Sequence, residues 1–267
     1  MKPYEELTFA DDFMFCKVLT EYPSLCKELL EIIIGKKVGD FVALDRQKPI
    51  EITANGKGVR FDVYIEDDTE TIYDIEMQTT TQADLPKRCR YYQALLDLNT
   101  LQRGNKYREL KNSYIIFILL DDPFAEERSK YTFEYFCVEE PTLCLNDGTT
   151  KIFLNANSEA DDVSSDLQSF LYYVAGNKAS SVLTSELEKC VNDAKIHKKW
   201  RKEYMSLELK FQEIEDKGFK KAMREMATSL FEDNMNFDHV KRLIKGQLSD
   251  DEIRQIQQQV MRKSRIP

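Results

Sequence analysis

The sequence predicts a mixed α/β core followed by an all-helical extension. Two runs of strict apolar-polar alternation, Val59–Glu66 and Ile72–Gln78, flank the short polar stretch Asp67-Asp68-Thr69-Glu70. The unbroken apolar run Tyr114–Leu120 has the length of a strand buried on both faces. From Asp166 onward the patterning is helical almost throughout. These observations place a core over about 1–160 and a helical region over 161–267.

The elements follow in order. Phe13, Val18, Leu19, Leu25, Leu29, Leu30 and Ile33 recur at helical spacing, with an interruption at Pro23 and a stop at Gly35. Residues Phe41–Ile52 have a weaker strand pattern, and Asn55-Gly56 supplies a turn. The alternating runs then predict a β-hairpin: Val59, Phe61, Val63 and Ile65 form one face of the first strand, and Tyr73, Ile75 and Met77 form one face of the second. Over 84–103, Leu85, Cys89, Tyr92, Leu95, Leu96 and Asn99 share a helical face, Lys87, Arg88 and Arg90 crowd the first turns, and Gly104 ends the helix. Strands are expected at Tyr131–Val138 and Ile152–Leu154, with Asp147-Gly148 turning between them. Near the end, Ser249 and Glu252 have capping-box spacing.

Composition narrows the chemistry. Apolar residues make up 42% and charged residues 32% of the 267, as in a globular protein with a sizeable core. No stretch reaches the roughly 18 uninterrupted apolar residues of a membrane helix, so no membrane partner is expected. The first residues, MKPYEELTFADDF, are acidic where a secretory signal is basic, and a cytoplasmic location is expected. Six scattered cysteines without a CxxC pair and only two histidines, His197 and His239, argue against a zinc site and against histidine-assisted nucleophilic catalysis. The cysteines read as free thiols in a reducing compartment. Chemistry here must run on carboxylates and amides, with or without a metal.

The net charge of −9 divides unevenly along the chain: residues 1–188 hold 20 basic and 34 acidic residues, whereas 189–267 hold 18 and 13. An acidic body with a basic tail suits a carboxylate-rich metal site and a separate phosphate-contacting arm, and it equally suits two ordinary solvated surfaces.

In the expected hairpin, Asp74, Glu76 and Gln78 lie opposite Ile75 and Met77, and Asp62 opposes the apolar face of its own strand. Pairing of the strands brings Asp62 toward Glu76 and Gln78. Carboxylates gathered in this way raise one another's pKa unless a cation lies between them, and a hard divalent ion such as Mg²⁺ or Mn²⁺ resolves the conflict. Asp62 and Glu76 are the candidate ligands, and the carbonyl of Met77 is a further one. Such a site suits phosphodiester hydrolysis, with Gln78 orienting a water or the scissile phosphate. Gln78 cannot act as a cation in the way a lysine does. Charged outer faces on half-exposed strands are also common without any metal.

The spacing D-(x13)-E-x-Q, carried as RFDVYIED…YDIEMQ, resembles the signature of the PD-(D/E)XK nucleases in the form used by the recombination-promoting nuclease/transposase family. LTFADDFMFCKVL, KRCRYYQALLDLNTLQRGNKYRELKNSYIIFIL, DPF…YTF, DGTTKIFLN and the late LSDDEI follow in the same order. The resemblance implies a restriction-endonuclease-like core with a mixed central sheet flanked by helices. It also implies a metal-dependent DNA endonuclease with Asp62 and Glu76 as metal ligands, and Gln78 where the wider superfamily usually has lysine. Arg88 and Tyr92 match positions flanking the site, where an arginine can hold a phosphate. Asp12 falls in the D-x-x-F pattern and is a candidate accessory acid, although a plain helix N-terminal carboxylate is the favoured role. The resemblance further implies a place in bacterial recombination or mobile-element biology, without pointing to strand transfer by these residues.

Lys195, Lys198, Lys199, Arg201 and Lys202 surround Trp200, the only tryptophan. Lys198, Lys199 and Arg201 are candidate contacts to DNA phosphates, with Trp200 stacking on a base. A solvated helix face with Trp200 as a packing anchor is the favoured alternative. Residues 238–261 form two short helical patterns that suit either a helix-turn-helix-like unit or a homodimer contact. Two other classes of function compete with the nuclease. One is a catalytically inactive DNA-binding or regulatory protein on the same fold, and the other is an interaction protein assembled through its helical tail.

Overall fold

A computed structural model describes residues 2–50, 58–80, 84–244 and 246–263. The chain divides into two compact units, Lys2–Lys198 and Lys199–Pro267. In the first, α1 (Asp12–Glu21) and α2 (Pro23–Ile34) precede β1 (Phe41–Ile50), β2 (Val59–Asp67) and β3 (Thr71–Gln78). The helix α3 (Leu85–Thr100) then leads to β4 (Asn112–Leu119), β5 (Lys130–Phe133) and β6 (Thr149–Asn155), followed by α4 (Ser165–Val174) and α5 (Val182–Ile196). Pro23 opens α2 at a position where its missing N–H costs nothing, and Gly35 closes α2 in the left-handed region at φ 79°. The expected turn at Asn55-Gly56 lies outside the described residues.

The strands form one six-stranded sheet in the order β1-β2-β3-β4-β6-β5. β1, β2 and β3 are antiparallel, β3, β4 and β6 are parallel, and β5 returns antiparallel on β6. α3 makes the crossover that the parallel β3–β4 pair requires. The apolar run of β4 divides between two layers. Ile116 and Ile118 join α1, α2, α4 and α5 on one side, whereas Ile115, Phe117 and Leu119 join α3 on the other. A strand covered on both faces has no polar side, which is why its sequence does not alternate.

Two elements depart from the sequence expectation. The strand expected over Tyr131–Val138 ends at Phe133, and Phe136 makes only an isolated bridge with Cys144. The single apolar face expected for β2 is also broken: Phe61 and Tyr64 pack on the α3 side, whereas Val63 and Ile65 pack on the other. The β1–β2 ladder skips the Gln47–Asp62 position, and Gln47 adopts φ 51°. The change of face falls between Phe61 and Val63, at this skipped position.

The β2–β3 turn is held by Asp67. Its buried carboxylate accepts hydrogen bonds from Gly39 N (3.0 Å), Thr69 N (3.0 Å), Thr69 Oγ1 (2.7 Å), Thr71 N (3.0 Å) and Tyr73 OH (2.9 Å). Burial pushes the Asp67 pKa up, but these donors outweigh it and hold the group below the usual carboxylate range. A Cβ at Gly39 would push the exposed Asp68 carboxylate aside and crowd the fixed Asp67 carboxylate, so the close approach there favours glycine. Asp67→Ala, which orphans several buried donors, is expected to cost about 3 kcal/mol by urea denaturation. Because the folded pKa is depressed, this stabilisation is present above the unfolded value and is lost as pH falls through the folded one. A loss below about 1 kcal/mol would contradict this role for Asp67.

In the second unit, the long α6 (Lys198–Glu232) is followed by α7 (Phe237–Ile244) and α8 (Asp250–Lys263). Ala227, Phe231, Val240, Ile244, Ile253, Ile256 and Val260 make its core. The capping box forms as its spacing predicts: Ser249 N donates to Glu252 Oε2 (2.9 Å), and Glu252 N donates to Ser249 Oγ (3.3 Å). Among the described residues, no helix is long and apolar enough to cross a membrane.

Candidate active site

The site lies where β2 and β3 part. Their ladder runs from Glu66–Ile72 to Val63–Ile75, and the next facing residues are Asp62 and Glu76. Here side chains replace the ladder. Asp62 N donates to Glu76 Oε1 (2.9 Å), and Met77 N donates to Asp62 Oδ2 (3.2 Å). Each carboxylate satisfies a backbone donor next to the other, so both are held by the backbone where the ladder opens.

Period-two geometry places Asp74, Glu76 and Gln78 on one face of β3, as the sequence predicts, and that face is the α3 side. That side is covered rather than open to water: Glu76 is 1% exposed and Asp74 0%. From α3, the half-buried Arg88 reaches across this row. Its NH2 donates to Glu76 Oε2 (3.0 Å) and its NH1 to Gln78 Oε1 (2.8 Å). The guanidinium also donates to Tyr92 OH from Nε (2.9 Å) and NH2 (2.6 Å), one helical turn along α3. Gln78 Nε2 turns the other way, to the carbonyl and hydroxyl of Thr80.

On the opposite flank α1 brings in Asp12 and Cys16, four residues apart on one helical face. Ligand-capable atoms of Asp12, Cys16 and Asp62 lie within 4.8 Å of one another. Asp12 occupies the first turn of α1, accepts a long hydrogen bond from Gln47 Nε2 (3.4 Å) and faces Arg60 at 3.8 Å.

The electrostatics follow from this crowding. Burial, then Glu76 and Asp12, push the Asp62 pKa up to about 8. Burial also raises Glu76, against the opposing pull of the Asp62 N–H and Arg88. Asp74 is raised well above the carboxylate range by burial and then by Glu76 and Asp62. Neither Asp74 oxygen accepts a hydrogen bond from an N–H or hydroxyl group. The contact left to it is with Glu76, to which a protonated Asp74 can donate.

The structure thus brings Asp12, Asp62, Glu76, Gln78, Arg88 and Tyr92 together within the first unit. Lys198, Lys199, Arg201 and Lys202 open α6 and are exposed, whereas Trp200 is 7% exposed and is a packing residue. Sequence reasoning passed over Asp74, Cys16 and Arg60 as site residues. The signals were present: Asp74 is two residues before Glu76 on a strand, Arg60 two before Asp62, and Cys16 four after Asp12 on a helix.

A mixed sheet between helix layers, with carboxylates converging from a hairpin and an arginine arriving from the crossover helix, is a restriction-endonuclease-like arrangement of the PD-(D/E)XK class. The family model described as PD-(D/E)XK nuclease family transposase matches residues 10–181, and the chain belongs to that family. Neither the curated proteins nor the solved structures contain a match.

Proposed function

We propose that this protein is a metal-dependent endodeoxyribonuclease that hydrolyses DNA phosphodiester bonds in recombination or mobile-element biology. The observation that carries it is the Asp62–Glu76 pair. Both carboxylates are tied to the backbone where the hairpin ladder opens, with pKa values raised by burial, and in Asp62 also by the neighbouring carboxylates. An oxygen-rich donor set of this kind fits a hard divalent ion, Mg²⁺ or Mn²⁺. Asp62 and Glu76 would hold it, with Asp12 as accessory acid and the Met77 carbonyl as a further ligand. When bound, such an ion supplies Lewis acidity at a phosphoryl oxygen and lowers the pKa of a coordinated water.

The rest of the site suits a polyanion. The first turns of α3 carry Lys87, Arg88 and Arg90, and a helix N-terminus itself favours negative charge. Arg88 is proposed as the phosphate contact, and Tyr92, buried and accepting two hydrogen bonds from its guanidinium, as the group behind it. Lys198, Lys199 and Arg201 are proposed as additional backbone contacts, supported by their exposure. A homodimer through the C-terminal helices belongs to the same reading. It is supported by the exposed Leu209, Phe211 and Ile214 along α6. A cytoplasmic setting is supported by six free cysteines, four of them buried.

The test is incubation of supercoiled plasmid with purified protein in Mg²⁺, Mn²⁺ or EDTA. Nicked and linear products are expected with either metal and none with EDTA. Intact plasmid, single-stranded DNA and RNA under both metals would sink the nuclease reading.

A further inference from the structure

We propose that Arg88 is the cationic member of this active site and that Gln78 is the residue that positions it. The assignment rests on the nuclease reading and adds to it the source of positive charge beside the carboxylates. The residue two past Glu76 on the same strand face is a neutral amide, yet that position is not without a cation. The Arg88 guanidinium lies against it, bonded to Gln78 Oε1 at 2.8 Å and to Glu76 Oε2 at 3.0 Å.

The orientation of the Gln78 amide follows from its partners. Arginine offers only donors, so the oxygen must face Arg88. The carbonyl of Thr80 only accepts, so the nitrogen must face Thr80, as it does at 3.0 Å. Neither contact survives a flip of the amide. Gln78 is therefore an acceptor fixed from both ends.

Tyr92 completes the cradle. Its hydroxyl accepts from Nε and NH2, and the guanidinium carbon lies 5.0 Å from its ring centroid and 5.6 Å from that of Phe117. The Arg88 side chain retains 27% of its exposure, against 2% for Glu76. The charge is thus anchored on a side chain that is only partly buried, beside a carboxylate that is almost fully so. A lysine at 78 would bring its charge along the strand; here the charge comes from the crossover helix and the strand contributes only its holder. Arg88 also neutralises Glu76, so in the absence of metal it competes for that carboxylate.

The experiment uses full-length protein and reads two quantities, plasmid cleavage in Mn²⁺ and Mn²⁺ binding by calorimetry without DNA. Arg88→Ala is expected to lower cleavage about 10²–10³-fold and to tighten Mn²⁺ binding roughly tenfold, because Glu76 loses a competing charge-assisted hydrogen bond. Adding Gln78→Lys to Arg88→Ala returns a cation to the same place and is expected to recover cleavage at least ~10-fold. The tighter binding reports the loss of the Glu76 contact, and a merely structural arginine does not predict the recovery of cleavage.

Should Arg88→Ala fail to fold, Gln78→Leu reads the same assignment. It removes the holder and keeps the ion pair, so cleavage falls with Mn²⁺ affinity unchanged. Arg88→Ala cleaving within a few-fold of wild type, while Asp62→Ala is inactive, would overturn the assignment and leave the nuclease reading intact. So would a loss that the double variant does not recover. A wild type that neither cleaves nor binds Mn²⁺ would overturn both.

Discussion

Asp62→Ala and Glu76→Ala are each expected to abolish metal-dependent cleavage, with a loss of at least ~10³-fold. Residues that act as a unit are not additive, so the double variant should be little worse than either single one. Each carboxylate also caps a backbone donor, Met77 N in one case and Asp62 N in the other. Alanine orphans that donor and is expected to cost about 1–2 kcal/mol. Set against this cost is relief of the repulsion that raises Asp62. Asp62→Asn keeps an acceptor for Met77 N and removes the charge. It should therefore fold as well as wild type and still be inactive. Circular dichroism beside the plasmid assay separates the two effects. Cleavage that persists in both alanine variants would place the chemistry elsewhere in the chain.

Asp74 carries the second large effect, on stability rather than turnover. It is fully buried, accepts no hydrogen bond from an N–H or hydroxyl group, and has its pKa held far above its unfolded value by burial, then by Glu76 and Asp62. A carboxyl with a raised folded pKa is protonated in the native state while the unfolded chain ionises. The native state then binds more protons than the unfolded one, so stability falls as pH rises from about 4. For a group that stays protonated, the slope is about 1.4 kcal/mol per pH unit. Asp62, raised to about 8, adds to the slope over the same window and stops contributing above that value.

Metal-free wild type should therefore lose stability steadily from pH 5 toward pH 8. Asp74→Asn cannot ionise, and its amide can still donate to Glu76. Its advantage over wild type should grow by about 1 kcal/mol per pH unit across that range. Urea denaturation in EDTA at pH 5, 6.5 and 8 checks this. Parallel pH profiles for the two proteins would show that Asp74 is not a buried acid of this kind. Mn²⁺ should restore part of the wild-type stability at pH 8, since a ligand that binds only the native state stabilises it.

The local patterns carried much of the fold. Alternation set out β2 and β3, helical spacing set out α1, α2 and α3, Pro23 and Gly35 marked helix ends, and the Ser249/Glu252 spacing marked the start of α8. Each depends on backbone geometry within a few residues, which is why it is legible in one dimension. The Asp62–Glu76 approach was legible for the same reason: a hairpin with a short polar turn leaves little freedom of register. The resemblance extended this to Arg88, Tyr92 and Asp12.

What only the tertiary structure decided depends on which surface covers which. The polar face of β3 looked solvated, but α3 lies over it and turns Asp74 and Glu76 into buried acids with raised pKa values. Strict alternation puts Tyr64 and Phe61 on opposite faces of β2, but both pack on the α3 side, with the Gln47–Asp62 position skipped between them. Residues 131–138 alternate well enough for a strand, but pairing with β6 extends only from Lys130 to Phe133. α4 and α5 contribute Leu167, Phe170, Leu187 and Val191 to the same core as α1 and α2, a long-range choice that no local period encodes. The link between Arg88 and Gln78 belongs here too. Ten residues separate them in sequence, and only the packing of a crossover helix on its own strand brings the charge to the amide.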